Sequence, residues 1–252
     1  MGGPADVPTP PWLAGRVARP ARAPLTRDAI VDAAIEVLDT EGSEQLSMRR
    51  VAAQLGVGAA SLYWHVPSKA VLIDLVLDRV IAEIELPPPE PAHWRAQLRE
   101  HAHLMRATLG RHGDLARLTM GRVPIGPSLV LVIEWQLALL RSAGIPDHVA
   151  ALTGDLLALY VGAFAFEDVL FNSPPAHEDA ASAEFHGPEQ FFVMVHQYLA
   201  TLPPDRFPHT TALVGELTSA DRDQRFEFGL DVLLAGLAAQ AADDASAPAL
   251  EA

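Results

Sequence analysis

The chain has 252 residues, half of them apolar and 20% charged, so it can bury a core in one large domain or two smaller ones. It contains no cysteine, which excludes disulfides, thiolate zinc sites and cysteine nucleophiles. No uninterrupted apolar run is long enough to span a membrane, and the first residues lack the basic and apolar regions of a signal peptide. A cytoplasmic protein without a membrane partner is therefore expected.

The net charge of −14 is unevenly distributed along the chain. Residues 1–70 contain seven basic and seven acidic residues, whereas the rest of the chain contains 11 basic and 25 acidic residues. Residues 45–70 contain no acid, and their basic residues are Arg49, Arg50 and Lys69. Because phosphate contacts act over a Debye length of ~10 Å, an acidic protein with such a local basic island can still bind DNA.

Residues 1–24 are rich in proline and alanine, include three arginines and show no apolar periodicity. This composition predicts a flexible N-terminal arm. A basic arm that contacts DNA is the alternative interpretation, and the sequence leaves the choice open.

Helical patterns follow the arm. Thr26 is placed to cap the first helix, which ends at Gly42, and Ser47 is placed to cap the second. The tight turn at residues 56–58 leads to a third, very short helix over residues 59–65.

The fourth pattern covers residues 68–84 and ends before the proline run at residues 86–89, the clearest boundary in the chain. Every later pattern is helical, and residues 172–188 predict a loop. The later helices are expected near residues 94–105, 129–140, 150–171, 191–199 and 221–239. No strand or internal repeat is evident, so the predicted fold class is all-α.

Two short helices joined by a glycine-containing turn predict a helix-turn-helix unit. The second helix of such a unit lies in the major groove, so its outer face must be small or hydrogen-bonding. Gly58 and residues 59–61 meet this requirement, while Tyr63 and His65 project opposite Leu62. The fold is thus expected to be an N-terminal three-helix DNA-binding domain followed by a larger helical domain.

The segments LTRDAIVDAAIEVLDTEG and SMRRVAAQLGVGAASLYWHVPSKAVLIDLV resemble the TetR family of transcriptional repressors. LYWHV followed by a lysine resembles the tetracycline-repressor subgroup, and RFEFGLDVLLAGLAA is similar to the last helix of that subgroup. The resemblance implies a DNA-binding domain over residues 25–70, a linking helix over 71–86 and a ligand-binding and dimerisation domain over 87–241. Residues 1–24 and 242–252, the latter expected to be a disordered tail, lie outside it.

DNA contacts are expected on the first part of the chain. The resemblance assigns base-reading or groove-facing positions to Arg49, Ala59, Ala60, Ser61, Tyr63 and His65. It assigns phosphate contacts to Thr26, Ser47, Tyr63 and Lys69. Of Arg49 and Arg50, one is expected to reach a guanine and the other the DNA backbone. Since alanine occupies positions 59 and 60, where relatives often place polar residues, the operator is expected to differ from that of the tetracycline repressor.

Other residues of the same stretch are expected in the core, namely Val57, Leu62, Trp64 and Val66. Trp64 in particular is expected to pack under the short helix and not to touch DNA. For Tyr63 a plain surface role, and for His65 a structural hydrogen bond, remain alternative interpretations.

A single short reading helix covers too few base pairs to be selective, so a homodimer that binds a two-part operator is expected. The resemblance implies that the last two long helices, residues 152–171 and 221–239, form a four-helix bundle with their counterparts. Their almost wholly apolar surfaces agree with this expectation, because a helix without a polar face must be covered.

The remainder of the C-terminal domain is expected to hold a small-molecule inducer. The candidate lining residues are His101, Met105, Thr119, Arg122, Trp135, Tyr160, Phe164 and Glu167. Aromatic residues with a few polar groups suit a mostly apolar, drug-sized molecule, and Arg122 could pair with a carboxylate or phenolate. For each of these residues, ordinary core or surface packing is an equally good alternative.

No metal or other cofactor is predicted. His101 and His103 point about 200° apart on a helix, so they cannot share a metal. Where the resemblance would place a histidine or threonine that contacts tetracycline, the chain has Ala158, Thr119 and Arg122. The inducer is therefore expected to be another molecule, such as an aromatic polyketide or a similar antibiotic.

The mechanism that the resemblance implies is a population shift, in which ligand moves the helix over residues 68–84 and disturbs the spacing of the two reading helices, about 34–36 Å. The sign of this coupling is not encoded in any pattern, so a ligand-dependent activator remains an alternative. A helical small-molecule-binding protein without operator binding is a second alternative. No nucleophile elbow, phosphate-binding glycine loop or paired carboxylates predict an enzyme.

Overall fold

The computed structural model describes residues 24–112, 115–119, 125–172, 188–219 and 221–246. Within these ranges all regular structure is helical, and the all-α prediction is confirmed. The helices are α1 (Arg27–Glu41), α2 (Met48–Leu55), α3 (Ala59–Tyr63), α4 (Lys69–Ile81), α5 (Trp94–Arg111), α6 (Leu115–Thr119), α7 (Pro127–Ser142), α8 (Asp147–Asn172), α9 (Pro188–Ala200), α10 (Pro208–Ala212), α11 (Val214–Ser219) and α12 (Arg222–Ser246).

Three of the predicted helix starts are fixed by side-chain caps. Thr26 Oγ1 accepts a hydrogen bond from the Ala29 amide at 3.1 Å, and Ser47 Oγ accepts one from the Arg50 amide at 3.2 Å. Ser68 caps α4 in the same way. Each such cap satisfies a backbone donor that would otherwise lack a partner, and is worth about 1 kcal/mol.

The first four helices form the N-terminal domain around a shared apolar core. Its fully buried residues include Ile30, Ala34, Val37, Leu38, Leu46, Val51, Leu62, Val66, Leu72, Val76 and Val80. The same cluster continues into the next domain through Leu109, Leu115 and Val132. Because α4 contributes to this core along its whole length, it is packed against α1 of the N-terminal domain and against α5, α6 and α7 of the C-terminal domain.

A second apolar core lies between α5, α7, α8 and α12. Leu98, Leu139, Phe226 and Leu230 are fully buried there, and Trp135 is nearly so. The short helices α10 and α11 pack mainly on α9. The cavity described below lies beside this core, between α5, α7 and α8.

Helix α8 is long and apolar enough between Asp147 and Leu170 to cross a membrane by length and composition, with a mean hydropathy of 1.8 over its most apolar stretch. In the structure it packs against α5, α7 and α12, and 33% of its most apolar stretch is buried within the chain. The residues that remain exposed on it include Leu152, Leu156 and Leu159.

The ends of the chain differ in part from expectation. Helix α12 continues to Ser246, beyond the predicted end at Ala239 and into the expected tail, because the sequence stays rich in alanine. The predicted arm before Pro24, the interior of the predicted loop (173–187) and residues 247–252 lie outside the described residues.

Candidate DNA interface and ligand cavity

The short helix α3 presents a small, polar surface to solvent. Its N-cap is Gly58, and only Leu62 of its five residues is buried. Ala60 and Ser61 are exposed, and Tyr63 retains 51% of its accessible surface. This is the surface expected of a helix that enters a DNA groove.

Trp64 is 90% exposed, so the prediction that it belongs to the core is wrong. Helix α3 ends at Tyr63, and the amides of His65 and Val66 both donate to the Leu62 carbonyl. This tight turn directs Leu62 and Val66 inward and leaves the indole between them in solvent. The predictions for Leu62 and Val66 are confirmed, and Val57 is half-buried against the same core.

The two arginines of α2 differ in their surroundings. Arg49 is exposed and has no ion pair or hydrogen-bond partner among the described residues. Arg50 Nε donates to the Glu41 carboxylate at 2.8 Å, and its Nη2 donates to Gln54 Oε1 at 2.9 Å. The hydrogen bond with Glu41 raises the pKa of Arg50 and lowers that of Glu41. Arg49 is thus free to contact DNA, whereas Arg50 is already engaged.

The remaining predicted DNA residues lie around α3. Ala59 and His65 are half-buried, and Lys69 is exposed at the first position of α4. The backbone carbonyl of His65 accepts a hydrogen bond from Arg27 Nε at 3.4 Å, which ties the end of α3 to α1. Thr26 and Ser47 cap helices whose N-terminal ends carry a partial positive charge suited to phosphate.

A cavity of about 370 Å³ lies between α5, α7 and α8. Its wall is largely apolar and consists of Ala102, Met105, Ile125, Leu129, Val132, Ile133, Leu137, Ala150, Ala151, Gly154, Leu157, Ala158 and Val161, with the polar residues His101, Gln136 and Asp155. Such a composition fits a mostly apolar ligand that is oriented by a few hydrogen bonds.

His101 and Gln136 are the two buried polar side chains of this cavity, each 6% exposed. Neither has a hydrogen-bond partner among the described residues. Burial lowers the pKa of His101 from 6.5 to about 4, so its imidazole is neutral at neutral pH. A neutral imidazole offers one donor and one acceptor, and a buried amide offers both as well, so these side chains can bind polar groups of a ligand.

The predicted ligand residues divide into three groups. His101 and Met105 line the cavity, and Trp135 packs behind it, with its ring centroid 5.1 Å from that of His101. The Trp135 Nε1 donates to the Pro87 carbonyl at 2.6 Å. Thr119 ends α6, but its side chain and all of Arg122 lie outside the described residues.

The structure places Tyr160, Phe164 and Glu167 outside the cavity, on the face of α8 that packs against α12. The Tyr160 hydroxyl donates to the Phe226 carbonyl at 2.8 Å, and the Phe164 ring lies 5.2 Å from that of Phe226. Glu167 pairs with Arg225 at 2.8 Å. Because α8 is apolar nearly all round, its sequence does not indicate which face meets α7 and which meets α12.

Sequence reasoning missed most of the cavity wall on α7. Leu129, Val132, Ile133 and Gln136 follow the i, i+3, i+4, i+7 spacing of one helix face. The sequence feature that could have indicated this cavity wall is the polar Gln136 within an otherwise apolar helix face. No group of three or more histidine, aspartate or glutamate residues is placed to hold a metal within the part of the chain described.

The sequence of this helical chain matches the profiles of two known protein families. The profile of the bacterial regulatory proteins of the tetR family matches residues 30–76, and that of the tetracyclin repressor-like C-terminal domain matches residues 86–241. The chain belongs to the TetR family. It is accordingly a ligand-responsive transcriptional repressor with an N-terminal helix-turn-helix.

Several relatives align over nearly the whole chain. The HTH-type transcriptional repressor DrrR1 of Streptomyces coeruleorubidus is 36% identical over 234 residues, which cover 90% of this chain and 82% of that protein. Apo ActR of Streptomyces coelicolor is 42% identical with a TM-score of 0.78, covering 89% of this chain and 100% of ActR. ActR in complex with actinorhodin is 43% identical with a TM-score of 0.75, covering 87% of this chain and 99% of ActR.

Proposed function

We propose that this TetR-family repressor binds a palindromic operator as a homodimer in the cytoplasm and releases it when a small, mostly apolar molecule enters the cavity between α5, α7 and α8. The observation that carries this proposal is a largely apolar cavity with two buried polar side chains, His101 and Gln136, that have no hydrogen-bond partner among the described residues. The family relation to regulators supports a role without enzymatic activity.

On the DNA side, Arg49 and Tyr63 are the principal readers in this proposal. Arg49 is exposed and has no partner within the described ranges, which leaves it able to bind a guanine. Half of the Tyr63 surface is free to meet a phosphate or a thymine methyl. The residues that face the major groove beside them are Ala59, Ala60, Ser61 and His65. The phosphate contacts in this proposal are made by Thr26, Ser47 and Lys69. Trp64 joins this surface, since its exposed indole offers an apolar contact. Arg50 contributes only if it leaves Glu41.

On the ligand side, the proposed inducer is an aromatic polyketide or similar antibiotic. ActR, a relative over most of its length, has been crystallised with actinorhodin and with (S)-DNPA. A cavity of about 370 Å³ accepts a molecule of drug size. The neutral imidazole of His101 can form a hydrogen bond with an uncharged phenol or carbonyl of the ligand. Thr119 and Arg122 stay candidate contacts, and no metal is part of the proposed site.

Dimerisation is typical of the family, and apolar side chains on α8 and α12 support it here. Leu152, Leu156 and Leu159 of α8 are exposed in the single chain, as are Phe228 and Val232 of α12. Two apolar helix surfaces of this kind would be covered by the same helices of a second copy in a four-helix bundle.

The test is a selection of binding sites from random DNA by the purified protein at a fixed salt concentration. We expect a palindrome whose half-sites lie about one helical turn apart. The Arg49→Ala, Tyr63→Ala variant should then lose operator binding but keep its affinity for actinorhodin, while Arg141→Ala, which removes a charge from the end of α7, should keep both. Unchanged operator binding by the double variant would show that α2 and α3 do not read the DNA.

A further inference from the structure

Helix α4 is attached to the start of α7 by one carboxylate. Asp78 Oδ1 accepts hydrogen bonds from the Ser128 amide at 2.9 Å and the Leu129 amide at 3.4 Å. Its Oδ2 accepts one from the Ser128 hydroxyl at 3.1 Å. A side chain of the helix that belongs to the DNA-binding core therefore holds the first turn of a helix that lines the cavity.

Helix α7 has no capping side chain of its own. Its N-cap is Gly126, and Pro127 follows at the first helical position. Asp78 supplies from another helix the acceptor that an N-cap residue normally supplies, and its negative charge faces the positive end of the α7 dipole. The first turn of α7 is thus completed only while α4 is in place.

Gly126 is what permits this approach. A Cβ at position 126 would lie 2.8 Å from the Asp78 Cβ and closer still to its carboxylate, which is nearer than real side chains come. Any larger residue would push the start of α7 away from α4. The Asp78 carboxylate can therefore cap α7 only because residue 126 is a glycine.

The next residue of α4, Arg79, is paired with α1 of the DNA-binding domain. Arg79 Nη1 donates to Asp32 at 2.7 Å, and Arg79 Nη2 donates to Asp28 at 2.6 Å, both on α1. These pairs are exposed and contribute little stability by themselves. They show, however, that α4 contacts the cavity helix and the DNA-binding domain at consecutive positions.

Leu129 links this contact to the cavity. Its amide is one of the donors to Asp78, and its side chain lines the cavity, as does that of Ile125 just before the cap. A ligand that displaces Leu129 together with its backbone stretches or moves the hydrogen bonds to Asp78. Because interactions of this kind have two discrete arrangements, made and broken, a small displacement can change the position of α4.

We propose that Asp78 is the positioning residue that transmits ligand binding from the cavity to the DNA-reading helices, with Gly126 as the close contact that makes the transmission possible. The inference rests on the proposed ligand cavity and operator binding. Asp78 touches neither ligand nor DNA, and it acts through α7 and α4.

The first experiment measures operator affinity with and without saturating actinorhodin, for the full-length wild type, Asp78→Ala, Asp78→Asn and Glu134→Ala. Couplings between two sites are commonly 5–150-fold. We expect Asp78→Ala to bind operator and actinorhodin within about threefold of wild type, but to lose most of the coupling between them. Asp78→Asn should retain most of it, since an asparagine oxygen is also a good N-cap acceptor. Glu134→Ala removes an exposed carboxylate of α7 and should behave as wild type.

Wild-type coupling in Asp78→Ala would overturn the role of Asp78 while leaving the proposed function intact. Failure of actinorhodin to release the wild-type protein would instead count against the proposed ligand class. The role of Asp78 is then decided without ligand, by operator affinities of Gly126→Ala, Asp78→Ala and the variant carrying both.

In that second experiment Gly126→Ala should force the contact apart and weaken operator binding by about the coupling factor. The same substitution should have little further effect in the Asp78→Ala background, where the clashing carboxylate is gone. Equal effects of Gly126→Ala in both backgrounds, or no effect in either, would overturn the proposal. Thermal unfolding of each variant establishes that it is folded, and Asp78→Asn provides the comparison should Gly126→Ala not fold.

Discussion

At the scale of single residues, the environment of a side chain decides its role more than its type does. His101 and His148 are both histidines of the C-terminal domain, but the first is buried beside the cavity and the second is exposed at the start of α8. Burial makes the charged form of His101 unfavourable, whereas the side chain of His148 is in contact with solvent.

The lowered pKa of His101 predicts a pH-dependent stability. Since the unfolded chain binds a proton near pH 6.5 and the folded protein only near pH 4, the stabilising effect of high pH is lost as pH falls between these values. From pH 7 to pH 5 this residue should lower the free energy of unfolding by about 2 kcal/mol. In urea unfolding, the free energy of unfolding of His101→Gln should fall between pH 7 and pH 5 by about 2 kcal/mol less than that of the wild type. The free energy of unfolding of His148→Gln should fall as much as that of the wild type.

The exposure of Trp64 predicts a separation between stability and DNA binding. Trp64→Ala should change the free energy of unfolding by less than about 0.5 kcal/mol, because surface substitutions seldom do more. Leu62→Ala, two residues earlier and within α3, should cost about 2–5 kcal/mol, because Leu62 is fully buried. Denaturant unfolding measures both. A large loss of stability in Trp64→Ala would mean that the indole packs against the protein. If the indole faces DNA, the operator affinity of Trp64→Ala should fall.

At the scale of helices, the sequence predicted elements with clear boundaries. Thr26, Ser47 and Ser68 each stand before an apolar helical pattern, and all three are observed as caps. The helices α6, α10 and α11 were not predicted, since five or six residues are too short to show a period.

The candidate cavity could be predicted only in part for a related reason. His101 and Met105 were found because they share one face of α5, an amphipathic helix. The sequence does not exclude Tyr160, Phe164 and Glu167 from the cavity, because the nearly uniform apolar character of α8 hides which face turns to α12. Trp64 was misplaced since the turn after α3, and not local apolarity, decides its direction.

The bridge between α1 and α2 predicts a measurable effect on DNA binding. Glu41→Gln should weaken the hold on Arg50 and free its guanidinium for a phosphate, which increases the slope of log affinity against log salt by about 1. Glu44→Gln removes the same charge from an exposed residue nearby and is the matched control. Operator titrations at several salt concentrations measure the slope, and equal slopes in the two variants would mean that Arg50 stays away from the DNA.

At the scale of the whole molecule, the exposed apolar residues of α8 and α12 predict the oligomeric state. Leu156→Arg together with Val232→Arg should produce a monomer that binds single half-sites weakly, because each substitution would bury a charge in the proposed bundle. Leu131→Arg, at an exposed leucine of α7, is the control and should leave the dimer intact. Sedimentation velocity distinguishes these outcomes, and a dimeric double variant would place the subunit contact elsewhere.

The apolar character of α8 also bears on how the protein is made. Its partner within the chain, α12, follows only after α9–α11, so the ribosome takes several seconds to deliver it at ~5–20 residues per second. During this interval a helix with the hydropathy of a membrane span has only part of its surface covered. Slower chain initiation or a lower expression temperature should therefore raise the yield of native protein more than stabilising the DNA-binding domain would.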